Sequence, residues 1–250
     1  MQRIYPPRTA RAGLDADELR ELYAYPDVAA SRPWVRANMI SSIDGAAQGP
    51  DGRSGSLSTP ADSAVLGLLR ALADVVVAGA GTVRTERYGA ILPRPEVVEQ
   101  RRGRGQPPVA PIAVVTRSLA LDPGSSLFSG ADQRTIVVTV EAAPADRRAE
   151  LERVADVVVA GETDVDVRAM VAALAERGLT RILCEGGPGL LAQLVAAEAV
   201  DELCYTLSPV IVGGHALRLL DGDPLGPVRW NLGHIVEDDG ALMTRWTVAR

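Results

Sequence analysis

The sequence predicts an α/β fold: three αβα layers around a mostly parallel, mixed sheet, finished by a C-terminal antiparallel hairpin. Three observations predict it. Apolar runs of strand length alternate with amphipathic stretches of helical length, the pattern of β-α-β units. The tail alternates on either side of Asp238-Asp239-Gly240, a turn signal between strand-like runs at 228–236 and 241–248. Several apolar runs also end in glycine or small polar residues, at 79–82, 116–118 and 185–189. In parallel sheets ligands gather beyond the carboxyl ends of the strands, so these loops predict an extended, phosphate-bearing ligand.

Composition narrows the class. The chain has 250 residues, 47% hydrophobic and 23% charged, enough for a sizeable core. A net charge of −6 argues against nucleic acid or an anionic membrane surface as partner. All 26 basic residues are arginine, which excludes lysine chemistry: no Schiff base, no P-loop lysine. Cys184 and Cys204 sit inside apolar runs, and His215 and His234 lack spaced partners, so neither a disulfide framework nor a metal site is expected. Residues 1–7 lack the apolar segment of a secretory leader and no apolar run reaches membrane-spanning length, which predicts a cytoplasmic protein.

Taken in order, residues 1–31 are rich in Pro, Ala and acidic residues and read as an appendage to a main domain over 32–250. Residues 15–22 predict a short helix with an acidic first turn. Trp34–Ile40 is the first strand, running into Ser41–Gly45 and a Gly/Ser-rich loop. A helix opens at Thr59-Pro60-Ala61-Asp62, with Ser58 or Thr59 as cap and Val65, Leu66, Leu68, Leu69 and Leu72 as its apolar face. Asp74–Gly79 is a buried strand leading into a helix start at 79–83. Residues 87–110, rich in Arg, Pro and Gly, read as a long loop. Strands follow at 112–116, 135–140 and 157–160, with a helix at 145–154 and another at 165–177 ended by Gly178.

The chain is organised around 181–191. Ile182–Cys184 reads as a buried strand, Gly186-Gly187 as a turn of bare backbone, and Pro188 as the first residue of a helix carrying Leu190, Leu191, Leu194 and Val195. Free N–H groups and the helix dipole make such a terminus an anion site. The spacing is not Gly-x-Gly-x-x-Gly, so an ordinary dinucleotide fold is not predicted. A strand over 200–207 and Pro209–Gly214 lead to the hairpin.

Five segments in order resemble the reductase domain of the riboflavin-biosynthesis pyrimidine deaminase/reductase, which has a dihydrofolate reductase-like fold. They are Ser42–Gly45, Leu69–Ala71 with Asp74, Gly79–Val83, Glu185–Pro188, and Val200–Leu203 with Pro209 and Gly213-Gly214. The deaminase half is absent, so the resemblance implies a free-standing, homodimeric reductase using NADPH. It implies a cofactor set of Ile40, Gly79, Gly81, Thr82 and Glu86, with Thr116 and Arg117 at the adenosine end. Gly186, Gly187, Pro188, Gly189, Leu190 and Leu191 would cradle the pyrophosphate.

Ser54, Arg70 and Glu185 would meet a pyrimidine ribosylamine phosphate. Asp44 and Asp62 face the same region, although Asp44 also reads as an Asx turn and Asp62 as a helix-dipole partner. Glu185 and Asp62 are the candidate carboxylates for proton delivery. The implied activity is 5-amino-6-(5-phosphoribosylamino)uracil reduction by hydride transfer. Asp62, an acid where the riboflavin reductases usually lack one, keeps open a second reading, a dihydrofolate reductase-like enzyme gripping a pterin or aminopyrimidine. A third is an NADPH-binding protein without turnover. After Thr82-Val83 the family's substrate-phosphate stretch is not matched cleanly; Glu86 keeps its acid, and Arg87 and Arg94 are candidate replacements for its arginine.

Overall fold

Runs of β-branched residues form the strands and proline-led amphipathic stretches form the helices. The computed structural model describes residues 1–7, 13–27 and 32–249. Its strands are β1 (Gln2–Tyr5), β2 (Trp34–Ser41), β3 (Val75–Gly79), β4 (Ile112–Val115), β5 (Thr135–Thr139), β6 (Ala155–Val159), β7 (Arg181–Cys184), β8 (Glu202–Leu207), β9 (Trp230–Asp238) and β10 (Ala241–Val248). Its helices are α1 (Ala16–Leu22), α2 (Pro60–Leu72), α3 (Ala80–Thr85), α4 (Pro95–Arg102), α5 (Ala145–Leu151), α6 (Val167–Ala175) and α7 (Pro188–Ala196).

The strands make one ten-stranded sheet in the order β1-β9-β10-β8-β2-β7-β3-β4-β5-β6. Every pairing from β8 to β6 is parallel, and β10 turns the sheet antiparallel against β8 and β9. Strand alternation separates two faces. Val75, Val77, Ile182 and Cys184 pack with Met170, Leu174, Leu190 and Leu194 of α6 and α7. Val76 and Leu183 point the other way, onto Val65, Leu69 and Leu72 of α2. Helices therefore cover both faces, as predicted.

The buried face of α2 sets the place of its polar residues. Val65, Leu69 and Leu72 are enclosed, each contributing roughly 1.5–3 kcal/mol on full burial. Pro60 stands in the first turn and the Thr59 side chain accepts from Asp62 N. With the helix seated this way, Asp62 and Arg70 are carried to the sheet's carboxyl edge.

Two stretches differ from the sequence reading. Residues 87–110 hold helix α4, with Pro95 at its first turn and Gly103 at its C-cap. Only Arg101 of that helix is buried, so there was no apolar stripe to reveal it. Its work is polar: Arg101 Nη1 donates to Ala71 O at 3.1 Å and Ala73 O at 2.6 Å, and Arg104 Nη2 to Ala71 O at 2.8 Å. These guanidinium groups satisfy the orphan carbonyls at the end of α2. The N-terminal residues also hold a strand, β1, which pairs antiparallel with β9 at the sheet edge. The predicted short helix is α1, with Asp15 and Glu18 forming a reciprocal capping box.

Candidate active site

A cleft of ≈ 890 Å³ opens at the carboxyl ends of β2, β3 and β7. One wall is nearly bare backbone. Gly79 N donates to Gly186 O at 2.8 Å, so the ends of β3 and β7 close on each other. Gly186 adopts φ +87°, a left-handed conformation open to glycine, and joins Gly187 through a cis peptide. A Cβ on Gly187 would stand 2.5 Å from Thr82 Oγ1, so no larger residue fits there without displacement. A Cβ on Gly81 would meet nothing within 4 Å. Helix α7 starts at Pro188 with Gly187 as an N-cap that offers no side-chain acceptor. Its first N–H groups are therefore left for an anion.

The cleft also carries charge. Arg70 grips Glu185 bidentately, Nε to Oε1 at 2.7 Å and Nη2 to Oε2 at 2.6 Å. Tyr88 Oη donates to the same Oε2 at 2.6 Å, and the Arg70 guanidinium lies 5.5 Å from the Tyr88 ring centre. Burial, then the Glu185 charge, pushes the Tyr88 phenol well above its usual range. Burial alone would lower Arg70, but the hydrogen bonds and charge of Glu185 outweigh it and hold the guanidinium firmly charged. Both Glu185 oxygens are occupied as acceptors. The sequence reading included Arg70 and Glu185 but missed Tyr88, since an aromatic in an Arg/Pro/Gly-rich stretch carries no periodic signal.

The other sequence candidates separate by position. Ile40, Ser54, Asp62, Gly79, Gly81, Thr82, Glu86, Pro188, Gly189 and Leu190 line the cleft. Asp62 is 7% exposed; one oxygen accepts from Ser58 Oγ at 2.6 Å and the other has no partner among the described residues. Ser54 and Glu86 meet each other: Ser54 N and Oγ both donate to Glu86 Oε1, at 2.7 and 2.9 Å. Asp44 accepts from Ser42 Oγ, Val212 N and Gly213 N, bonds that lower its carboxyl to about 2 and tie the 209–214 turn to the end of β2. Leu191 points into the core. Thr116 Oγ1 accepts from Leu119 N, and Arg117 pairs with Asp164 at 2.6 Å on the surface; neither borders the cleft. Among the described residues no cluster of His, Cys, Asp and Glu could hold a metal ion.

A glycine-walled cleft at the carboxyl edge of this sheet, lined also by an Arg–Glu–Tyr cluster, fits an oxidoreductase. Comparison with known proteins narrows the class: the chain belongs to the RibD C-terminal domain family, whose model matches residues 33–243. A 2,5-diamino-6-ribosylamino-4(3H)-pyrimidinone 5′-phosphate reductase from Archaeoglobus fulgidus is 30% identical over 183 residues, 73% of this chain and 83% of that protein. The protein of the same name from Methanothermobacter thermautotrophicus is 32% identical over 193 residues, 77% and 85% of the two chains. The crystal structure of a pyrimidine reductase-like protein from Corynebacterium diphtheriae aligns with a TM-score of 0.83 at 28% identity, covering 93% of this chain and 98% of that one.

Proposed function

We propose that this chain is the NADPH-dependent reductase of a 5′-phosphorylated 6-(ribosylamino)pyrimidinone in riboflavin synthesis, acting as a cytoplasmic homodimer. The observation that carries the reading is one cleft lined both by phosphate-ready backbone and by the Arg70–Glu185–Tyr88 cluster. The residues present fit the cofactor. The open space at Gly81 and the uncapped start of α7 suit a diphosphate, and Thr82 and Ile40 border its path. Thr116 and Arg117, beyond β4, are assigned to the adenosine end, where Arg117 would exchange its exposed Asp164 partner for a phosphate. NADPH supplies a hydride when bound. The unpaired, buried cysteines support a reducing compartment, and exposed Val210, Ile211, Leu217 and Leu220 support a second copy as partner.

The chain's own contribution is positioning and proton supply. Arg70, fixed by Glu185, presents its remaining N–H groups to the sugar hydroxyls. With Glu185 already accepting from Arg70 and Tyr88, a water held by the free oxygen of Asp62 is the proton route to the ribosylamine nitrogen. Asp62 also discriminates rings. A carboxylate accepts from an amino group at ring position 2 and repels a carbonyl oxygen there, which favours the 2,5-diamino ring over the uracil. The same observation sustains a second reading, reduction of a 2-amino pterin such as dihydrofolate.

Loss of reduced-nicotinamide absorbance, followed with the diamino compound, the uracil compound and dihydrofolate in parallel, tests this. Turnover is expected with the diamino compound, and Asp62→Asn is expected to narrow its advantage over the uracil. Turnover of dihydrofolate alone would establish the second reading; turnover of none would sink both.

A further inference from the structure

We propose that residues 48–54 form a flap bordering the cleft and that Glu86 is its latch, a positioning residue and not a ligand; the latch's part in turnover rests on the reductase reading above. The flap lines the cleft through Gln48, Gly52 and Ser54. It follows the turn after β2 and returns to α2 through a short helical turn at Gly55–Leu57.

The flap is braced from within. Gly49 N donates to Arg53 O at 2.8 Å and Gly52 N to Gly49 O at 3.0 Å. Asp51 Oδ1 accepts from Arg53 N at 3.1 Å and from Ser56 Oγ at 2.9 Å. Gly52 takes a left-handed φ of +74°, and a Cβ on Gly49 would stand 2.0 Å from Ser56 Oγ, so this close turn needs bare backbone at both places. These bonds are internal and survive if the flap moves as a body.

Its attachment is narrow by contrast. Beyond the adjoining turn, and among the described residues, the hydrogen bonds from residues 48–54 to the rest of the chain both end on one atom. Ser54 N donates to Glu86 Oε1 at 2.7 Å and Ser54 Oγ donates to the same oxygen at 2.9 Å. A carboxylate acceptor makes both bonds charge-assisted. Glu86 is itself fixed as the C-cap of α3, its N–H donating to Thr82 O at 2.8 Å. The latch therefore ties the flap to the helix that brings Gly81 and Thr82 to the cleft. Latched, it holds Ser54 in place along the cleft; unlatched, it widens the way in for a ligand.

Trypsin reads the latch without turnover, because Arg53 is the arginine of the flap and the cut falls between it and Ser54. Where opening and closing outpace cutting, the cut rate follows the open population. In the full chain, with the Arg53 cut followed by mass spectrometry, Glu86→Ala is expected to be cut there about 10- to 100-fold faster than wild type, the value of a charge-assisted contact. Its Tm is expected to stay close to that of wild type, since the opening is local. Ser54→Ala removes one of the two bonds and is expected to speed the cut less. The double variant is expected to be cut no faster than Glu86→Ala alone, because both substitutions act on one contact. Glu86→Gln keeps an acceptor oxygen and is expected to restore most of the protection and most of kcat/KM.

An Arg53 cut rate unchanged in Glu86→Ala overturns the proposal, as do additive effects in the double variant. A Glu86→Gln variant protected like wild type but as slow in turnover as Glu86→Ala would make Glu86 a ligand of substrate or cofactor, and overturns the positioning role. Absence of turnover in wild type beside the expected trypsin pattern would count against the reductase reading and leave the latch standing.

Discussion

The molecule holds two guanidinium–carboxylate clusters built from the same groups and put to different ends. Beneath the N-terminal segment, Arg36 and Arg245 converge on Glu202, with Arg36 Nε 2.6 Å and Arg245 Nε 2.8 Å from Oε1. Trp34 Nε1 donates to Oε2 at 3.0 Å, and Tyr25 lies 3.8 Å under the Arg36 guanidinium. Arg36 and Glu202 are fully enclosed. In the cleft, Arg70 and Glu185 make the same fork, yet the Arg70 side chain keeps 30% of its surface. Enclosure makes the difference. The sealed Arg36–Glu202 pair can only hold structure together, and Arg245, one-fifth exposed, ties the backbone of Leu22 and Ala24 to the sheet beside it. A cluster with one open side keeps donors for a ligand.

The contrast predicts opposite phenotypes. Glu202→Ala strands the buried Arg36 cation, unpairs Arg245 and should destabilise by about 3–5 kcal/mol, read as a lowered urea midpoint. A loss of activity with unchanged stability in that variant would break the comparison. Arg70→Ala should lower kcat/KM by about 100-fold, with a Tm shift far smaller than that of Glu202→Ala, because positioning is lost while the site stays solvated.

The enclosed cluster should also set acid stability. His234, beside it and edge-on to Tyr23 at 4.7 Å, is lowered to about 4, first by burial and then by Arg245. The unfolded chain takes up this proton near the ordinary histidine value, about 6.5, and the folded chain does not. Stability is therefore full above that value and declines as pH falls towards about 4, by roughly 3 kcal/mol. Glu202 acts in the same sense: burial alone would raise it, Arg36 and Arg245 hold it low, and its contribution disappears as pH falls through the folded value. His234→Gln should flatten the Tm–pH curve over that window; an unchanged slope would remove His234 from the account.

The smallest effect sharpens the open cluster. Tyr88→Phe removes one hydrogen bond to Glu185 and should reduce kcat/KM about tenfold with NADPH affinity intact.

Much of this was legible from residue patterns. The buried face of α2, the glycine end of β3 and the turn at 185–189 follow from local rules of burial, helix starts and bare backbone, so the placement of Arg70, Glu185, Gly187 and Thr82 on one edge could be inferred. Helix α4 could not, because its buried contacts are guanidinium groups on the carbonyls of α2 and leave no periodicity. The partners of the polar residues were equally hidden. Glu86 lies 32 residues from Ser54 in the chain and Tyr88 lies 97 from Glu185, and nothing near any of them in sequence announces the match.

By itself, then, the sequence determined the α/β class, the alternation of strand and helix, the glycine-walled edge and the family. Those depend on interactions between near neighbours in the chain, where spacing and side-chain type suffice. Only the tertiary structure decided that Glu185 accepts from Arg70 and Tyr88, that Glu202 is sealed and that Arg87 has no partner among the described residues. Pairing, burial and solvent access belong to groups brought together by the sheet, and the same arginine or glutamate becomes clamp, scaffold or ligand site according to what encloses it.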